Sequence, residues 1–310
     1  MHPAQSVIVF TTLSGLGFGM MVWLGLGLGP SGDTAGPITA FIALCLSGLG
    51  LVSSTFHLGN PQRALKAFSQ WRSSWLSREG CVSVVLMMLF FVFTILWWTG
   101  DRNIILGVIC AVLAVLAIVC TAMIYGQLKT VPRWSNTWTV PMFLGFAGAG
   151  GALATSTAAA IAGETIDVGI GMALLAFSAL IYIYRRSSQT MTLADAGHSP
   201  ESATQLGRIG KVRLLESPHS SPNYLMKEMV FHVGRKHAEK LALFATVLGL
   251  FAPLFLFIIF REEGGFGLSP GLQIPGLILA LILHFAGALT SRWLFFAEAE
   301  HVVGLYYGRN

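Results

Sequence analysis

The chain has 310 residues, of which 54% are hydrophobic and only 11% charged, with a formal net charge of +5 and a mean hydropathy of +0.70. A water-soluble protein carries about a quarter charged residues, so too little polar surface is present to coat a soluble particle. Composition therefore excludes a soluble enzyme, a nucleic-acid binder and a disordered regulator.

Crossing a bilayer as a helix takes about 20 mostly apolar residues, and eight stretches qualify. The first, Ser6–Gly29, is too long for the apolar region of a cleavable signal, and no base precedes it in Met1–Gln5. Its Gly15, Gly17, Gly19, Gly25, Gly27 and Gly29 suit close helix–helix approach. The second, Gly36–Phe56, runs into His57, and the polar, Trp-rich connection Leu58–Glu79 leads to the third, Gly80–Thr99. Asn103–Tyr125 is the fourth and Val140–Ala162 the fifth, the latter again rich in small residues. The sixth, Ile166–Tyr184, precedes Arg185–Lys240, which alone looks soluble and is broken by His198, Pro200, Pro218 and Pro222. That segment reads as a loop with short helices lying against something else. The seventh stretch, Leu241–Phe260, carries Pro253, which predicts a kink, and the eighth, Leu272–Phe295, carries Pro275 at a predicted helix start. None alternates in polarity as barrel strands do. The predicted fold class is an all-α integral-membrane bundle of eight transmembrane helices in one membrane domain, residues 1–310.

Cys45, Cys81, Cys110 and Cys120 all fall in apolar runs, with no Cys-x-x-Cys spacing, and read as free thiols packed like small apolar residues. No phosphate-binding Gly-Lys loop or His-Glu-x-x-His is present, and the Gly-x-Gly strings of the first span lie within a helix.

With eight spans, both termini, the two long connections and the connection Gln127–Thr139 share one face. That face holds 17 of the 19 Lys and Arg and 8 of the 14 Asp and Glu, a net +9; the other holds Arg102 and Arg261 against six acids, a net −4. Lys and Arg are retained in the cytoplasm during insertion. Both termini and the loop 185–240 are therefore expected to be cytoplasmic.

Ionisable groups at membrane depth are costly and mark function. His284 is the one placed near mid-span; by itself it reads as a histidine satisfied within the bundle. The others gather at the basic rim: His57 closes the second span, Glu79 opens the third, and Tyr125 with Lys129 closes the fourth. A quinone reaches such a rim through lipid, needs hydrogen-bond donors at its carbonyls and takes up two protons with two electrons. Histidine exchanges protons near neutral pH, and a nearby carboxylate could pass them to water. His57 and Glu79 form a plausible donor–relay pair, with Arg78, Trp71 and Tyr125 as neighbours for the headgroup. The same residues also fit plain interfacial roles: a His at a helix C-terminus, an acid at a helix N-terminus, and tryptophans in an aromatic belt. A six-coordinate haem needs two axial ligands at matching depth. His57, His284, His232 and His237 offer no such pair, so no haem is expected and no metal ligand is assigned.

Met1-His2-Pro3-Ala4-Gln5-Ser6-Val7-Ile8, Phe10-Thr11-Thr12-Leu13-Ser14-Gly15, Ser54-Thr55-Phe56-His57-Leu58-Gly59 and Gln70-Trp71-Arg72-Ser73-Ser74-Trp75-Leu76-Ser77-Arg78-Glu79-Gly80 resemble the dimethyl sulfoxide reductase anchor-subunit family. The resemblance extends through the spans and Thr130-Val131-Pro132-Arg133-Trp134, and covers Arg185–Lys240 weakly. It implies a multi-pass subunit of the bacterial inner membrane with two partners, a molybdopterin catalytic subunit and a four-cluster iron–sulfur subunit. It also implies a quinone site, ubiquinone or menaquinone, near the iron–sulfur subunit, and no haem. The family's histidine after the second span falls on His57 and its acid at the start of the third on Glu79. One feature departs from the dimethyl sulfoxide reductases, whose docking face looks out of the cell: here the basic docking face is expected inside. That resembles the cytoplasmic-facing sulfite dehydrogenase branch, which passes electrons from sulfite to quinone. A quinol-oxidising anchor of an oxyanion reductase and a purely structural anchor are the alternatives.

Overall fold

The computed structural model describes residues 3–57, 60–164, 169–187, 193, 196–216, 237–260 and 271–307. The described residues form helices and turns without a strand. In sequence order the helices are α1 (Gln5–Gly25), α2 (Ala35–Ser53), α3 (Trp75–Trp98), α4 (Ile104–Gly126), α5 (Thr139–Ile161), α6 (Gly169–Ser187), the short α7 (Pro200–Thr204), α8 (Ala238–Ile259) and α9 (Gln273–Ala297). Short 3-10 segments cover Ser54–His57, Pro61–Gln70, Leu206–Arg208 and Val302–Tyr307.

Seven described helices (α1 to α5, α8 and α9) are long and apolar enough to cross a membrane. The stretch predicted as the sixth span coincides with α6, whose last turn holds Arg185 and Arg186. The third span differs from its prediction: α3 starts at Trp75, not Gly80, because the Ser74 hydroxyl accepts the Ser77 N–H (3.4 Å) and caps the helix there. Glu79 consequently sits inside the helix rather than at its opening. Of the Arg185–Lys240 connection, Pro218, Pro222, Lys227, Arg235 and Lys236 lie outside the described residues; Ser199 caps α7, and Tyr306 donates to the Ala203 carbonyl at 2.6 Å.

α1 to α4 form one ring of neighbours and α5, α6, α8 and α9 a second; α1 against α5 and α9, and α4 against α5, join them. α1 and α5 are the innermost helices. Lipid is as apolar as a leucine surface, so backbone proximity, not water exclusion, drives this packing. Of the glycines predicted to allow it in the first span, Gly17, Gly19 and Gly25 lie at close helix approaches, whereas Gly15 makes an ordinary contact and Gly27 none. Gly17 faces Ser47 and Ala43, Gly19 faces Ala147 and Gly151, Gly25 faces Gly107, and Gly249 faces Gly287. Large apolar side chains such as Phe41, Leu49, Met88, Phe91 and Leu243 point outward instead.

At Pro253, where a kink is predicted, α8 carries a π turn over Val247–Phe251 just before the proline. Proline has no N–H, so the carbonyl four residues earlier, that of Gly249, loses its α-helical donor. His284 of α9 places a ring nitrogen there: its Nδ1 lies 2.7 Å from Gly249 O, and its Nε2 lies 3.2 Å from Phe146 O. The ring is buried, the bundle role expected for it. All four cysteines are free, with Cys110 and Cys120 buried and Cys45 exposed on the bundle surface.

The two ends of the bundle differ. At the basic end, Arg133 and Arg186 both pair with Glu298 (3.2 and 2.9 Å), Trp134 donates to Phe295 O (2.7 Å), and Val302 donates to Thr130 O (3.0 Å). At the other end, Gly163 takes φ +72° and turns the backbone after α5. Glu164 then accepts the Ser31 N–H (2.6 Å), the Ser31 hydroxyl (2.7 Å) and the Gly32 N–H (3.0 Å). Partial burial works to raise the Glu164 carboxyl, but these bonds and nearby Arg102 outweigh it and hold the group below its ordinary value of 4.5. The clasp should thus be complete above that value and weaken as pH falls below it. Glu164→Gln is expected to lower the thermal midpoint of the detergent-solubilised protein at pH 7, with the gap to wild type closing on acidification. An equal gap at all pH values would assign the effect to shape rather than charge.

Candidate functional site

The polar group of most consequence is at the basic end of α3. Helical spacing turns Arg78 and Glu79 about 100° apart, and the two side chains take different hydrogen-bond partners. Arg78 faces outward: Nε donates to Trp71 O (2.9 Å), Nη2 donates to Arg72 O (2.6 Å), and the guanidinium stacks 4.4 Å from the Trp75 ring centroid. Trp71 is exposed, with Arg72 over its ring. Glu79 faces inward, against α4, and is only 4% exposed. Arg78 and Trp71, taken from the sequence as headgroup neighbours, therefore stand on the outer surface of the α3 entry rather than beside the carboxyl.

Glu79 pairs with a residue the sequence reading passed over. Thr121 Oγ1 lies 2.6 Å from Glu79 Oε1, and the same hydroxyl lies 3.0 Å from Ala117 O in its own helix. One turn on from Thr121, Tyr125 is buried in an aromatic cluster with Trp134, Phe143, Phe295 and Phe296, at centroid distances of 5.2, 6.1, 5.5 and 5.3 Å. Tyr125 is within electrostatic reach of both Glu79 and Arg292. Phe68, from the 3-10 segment Pro61–Gln70, roofs the start of α3: a Cβ on Gly80 would meet its ring at 3.1 Å.

His57 ends the 3-10 turn that continues α2, and its side chain lies outside the described residues. The backbone before it is anchored, since the Ser53 hydroxyl donates to Ser6 O at 2.9 Å. That turn packs against α1 and against the 3-10 segment that carries Phe68. Glu79, Tyr125 and the end of α2 thus share one end of the bundle.

Arg292 was counted by sequence among the bases of the rim, yet it sits inside α9, 4% exposed. Its guanidinium lies 3.5 Å from the Phe143 ring centroid, and Nη1 has no hydrogen-bond partner among the described residues. It lines a small cavity of about 20 Å³ with Thr11, Thr12, Phe146, Leu281 and His284, space for roughly one water molecule. Arg185 is buried too, donating through Nη2 to Arg133 O at 2.9 Å. A base close to a helix end in sequence looks solvated; only the packing of α9 against α5 reveals that Arg292 is not. A larger cavity of about 250 Å³ between α1, α4, α5 and α6 is apolar. Its one indole N–H, on Trp23, is already used on Gly148 O (2.8 Å). Among the described residues no three His, Cys, Asp or Glu converge as metal ligands.

The sequence model of the DMSO reductase anchor subunit (DmsC) matches residues 1–308. The protein is 30% identical to a subunit of the sulfite dehydrogenase of Allochromatium vinosum, over 99% of each sequence. It is 28% identical to the anaerobic dimethyl sulfoxide reductase chain YnfH of Escherichia coli, over 44% of this sequence and 51% of that one. It is 26% identical to a subunit of the anaerobic dimethyl sulfoxide reductase of Haemophilus influenzae, over 32% of this sequence and 37% of that one.

Proposed function

Because this chain belongs to the dimethyl sulfoxide reductase anchor-subunit family, we propose that it is the quinone-reactive membrane anchor of a molybdenum and iron–sulfur oxidoreductase in a bacterial inner membrane. In this reading α6 is an eighth span, both termini are cytoplasmic, and the loop 185–240 contacts a partner. A four-cluster iron–sulfur subunit and a molybdopterin subunit dock on the basic face. The charge asymmetry between the two ends supports that sidedness. The end-to-end similarity to a sulfite dehydrogenase subunit supports the sulfite-oxidising branch, with electrons passing to the quinone pool.

The observation that carries the reading is the buried Glu79 carboxyl. Nothing cationic pairs with it among the described residues; one hydroxyl does. A carboxyl placed at membrane depth without a counter-ion is costly, and a proton-exchanging role accounts for it. The quinone, ubiquinone or menaquinone, supplies the two-electron, two-proton chemistry when bound. His57 donates a hydrogen bond and a proton at the bilayer edge, and Glu79 connects that place to cytoplasmic water. Tyr125 and its aromatic cluster close the bundle behind Glu79 and keep water from passing deeper. Electrons and protons both enter from the cytoplasm, so turnover moves little charge across the membrane.

The test is a quinone titration of the purified complex with its iron–sulfur clusters pre-reduced. Inhibitor-sensitive reoxidation by added quinone is expected. Clusters that stay reduced would make the protein a tether only. A reporter fused after Asn310 fixes the sidedness: activity restricted to the periplasm would overturn the cytoplasmic assignment and, with it, the sulfite branch.

A further inference from the structure

The Thr121 hydroxyl has one hydrogen and two oxygen neighbours, Glu79 Oε1 at 2.6 Å and Ala117 O at 3.0 Å. A backbone carbonyl can only accept. An ionised Glu79 can also only accept, so with Glu79 charged one of these contacts has no hydrogen in it. With Glu79 protonated, both are satisfied: the carboxyl O–H donates to Thr121 Oγ1, and the Thr121 hydroxyl donates to Ala117 O. This second arrangement also leaves no charge buried. We propose that Glu79 holds a proton in the resting protein and that Thr121 is its positioning residue. The Thr121 hydroxyl swings from Ala117 O to Glu79 Oε1 when the proton leaves, and swings back when it returns.

The surroundings fit a proton carrier rather than an ion pair. α4 presents Cys120 and Tyr125 within electrostatic reach of Glu79; the cations that reach those two, Arg78 and Arg292, form no ion pair with Glu79 among the described residues. α2 contributes only Cys45, which is exposed. From the 3-10 roof, Lys66 is exposed and the Arg63 side chain lies outside the described residues, as does that of His57. Arg78, on α3 itself, is committed to the Trp71 and Arg72 carbonyls. One rotation of one hydroxyl converts the acid-binding arrangement into one that stabilises the carboxylate, with no backbone movement. The proton count balances: one proton leaves the Glu79 carboxyl toward the quinone side, and one returns from cytoplasmic water. Electrons do not pass through this pair.

The inference rests on the proton-exchange reading of this end, but its test does not need quinone. Infrared spectra of the intact complex at neutral pH, without added quinone, are expected to show a protonated-carboxyl C=O band that disappears in Glu79→Gln. The band should move in Thr121→Val, which removes the acceptor while keeping the shape, and return to its place in Thr121→Ser. Quinone-coupled turnover should fall about tenfold in Thr121→Val and recover in Thr121→Ser, a size matching one hydrogen bond to an ionisable group. If Glu79→Gln removes only ionised-carboxylate bands, or if Thr121→Val leaves the C=O band unmoved, the proposal is overturned. An intact, responsive band in a complex that does not reoxidise its clusters with quinone would sink the functional reading and leave this one standing.

Discussion

Replacing His57 with alanine is expected to abolish quinone-coupled turnover, by about a hundredfold or more, while the complex still oxidises its substrate with a soluble artificial acceptor. The size follows from the loss of a positioned proton donor, typically worth 10²- to 10⁴-fold. The residue stands where the apolar path of α2 gives way to the polar roof Pro61–Gln70, at the same end of the bundle as Glu79. An imidazole there can both hydrogen-bond a carbonyl arriving from lipid and exchange a proton near neutral pH. His57→Gln separates the two roles: it keeps a donor but cannot cycle a proton, so binding should survive better than turnover. Loss of both activities in His57→Ala, with partner subunits no longer retained in the membrane fraction, would assign His57 to assembly instead.

The segments legible in the sequence were those decided by bulk apolarity. Length and hydropathy place α1 to α5, α8 and α9 within a few residues of their observed bounds, because lipid demands that backbone hydrogen bonds be satisfied internally, as a long apolar helix does. The close-approach glycines of α1 and α5 were also legible, since their effect is steric. What escaped were facts about azimuth. The motif around Arg78 and Glu79 is contiguous, yet capping at Ser74 winds it into a helix and turns the two side chains about 100° apart, to different partners. Thr121 was invisible because a threonine in an apolar span commonly bonds its own helix, and Thr121 does reach Ala117 O. Its second contact, to Glu79, depends on how α3 and α4 rotate against each other. Arg292 was misread for the same reason: its distance from the end of α9 is a sequence fact, but the Phe143 ring under it is a packing fact.

Gly19→Ala should be among the most destabilising single-methyl changes available in this protein. α1 and α5 are the two innermost helices, and they meet backbone to backbone at Gly19, Ala147 and Gly151. A Cβ on Gly19 would fall on the Ala147 carbonyl oxygen, and one on Gly151 would fall on the Gly19 backbone. A flexible side chain can step aside; a helix carbonyl cannot without moving its helix. Overpacking a core costs about 1–3 kcal/mol when side chains adjust, so the cost here should reach or exceed about 3 kcal/mol. Separating α1 from α5 would also part the two rings of helices that α1 joins. Gly15 supplies the control one turn earlier on the same helix, because a Cβ there would meet only Ala147 Cβ at 3.9 Å, an ordinary contact. Thermal unfolding of the detergent-solubilised variants should therefore show Gly15→Ala close to wild type and Gly19→Ala strongly lowered or failing to accumulate. Equal midpoints for the two would mean that α1 and α5 do not approach this closely. The difference between these two glycines, not the glycine count of α1, is the measure of how tightly the two halves of the bundle are held.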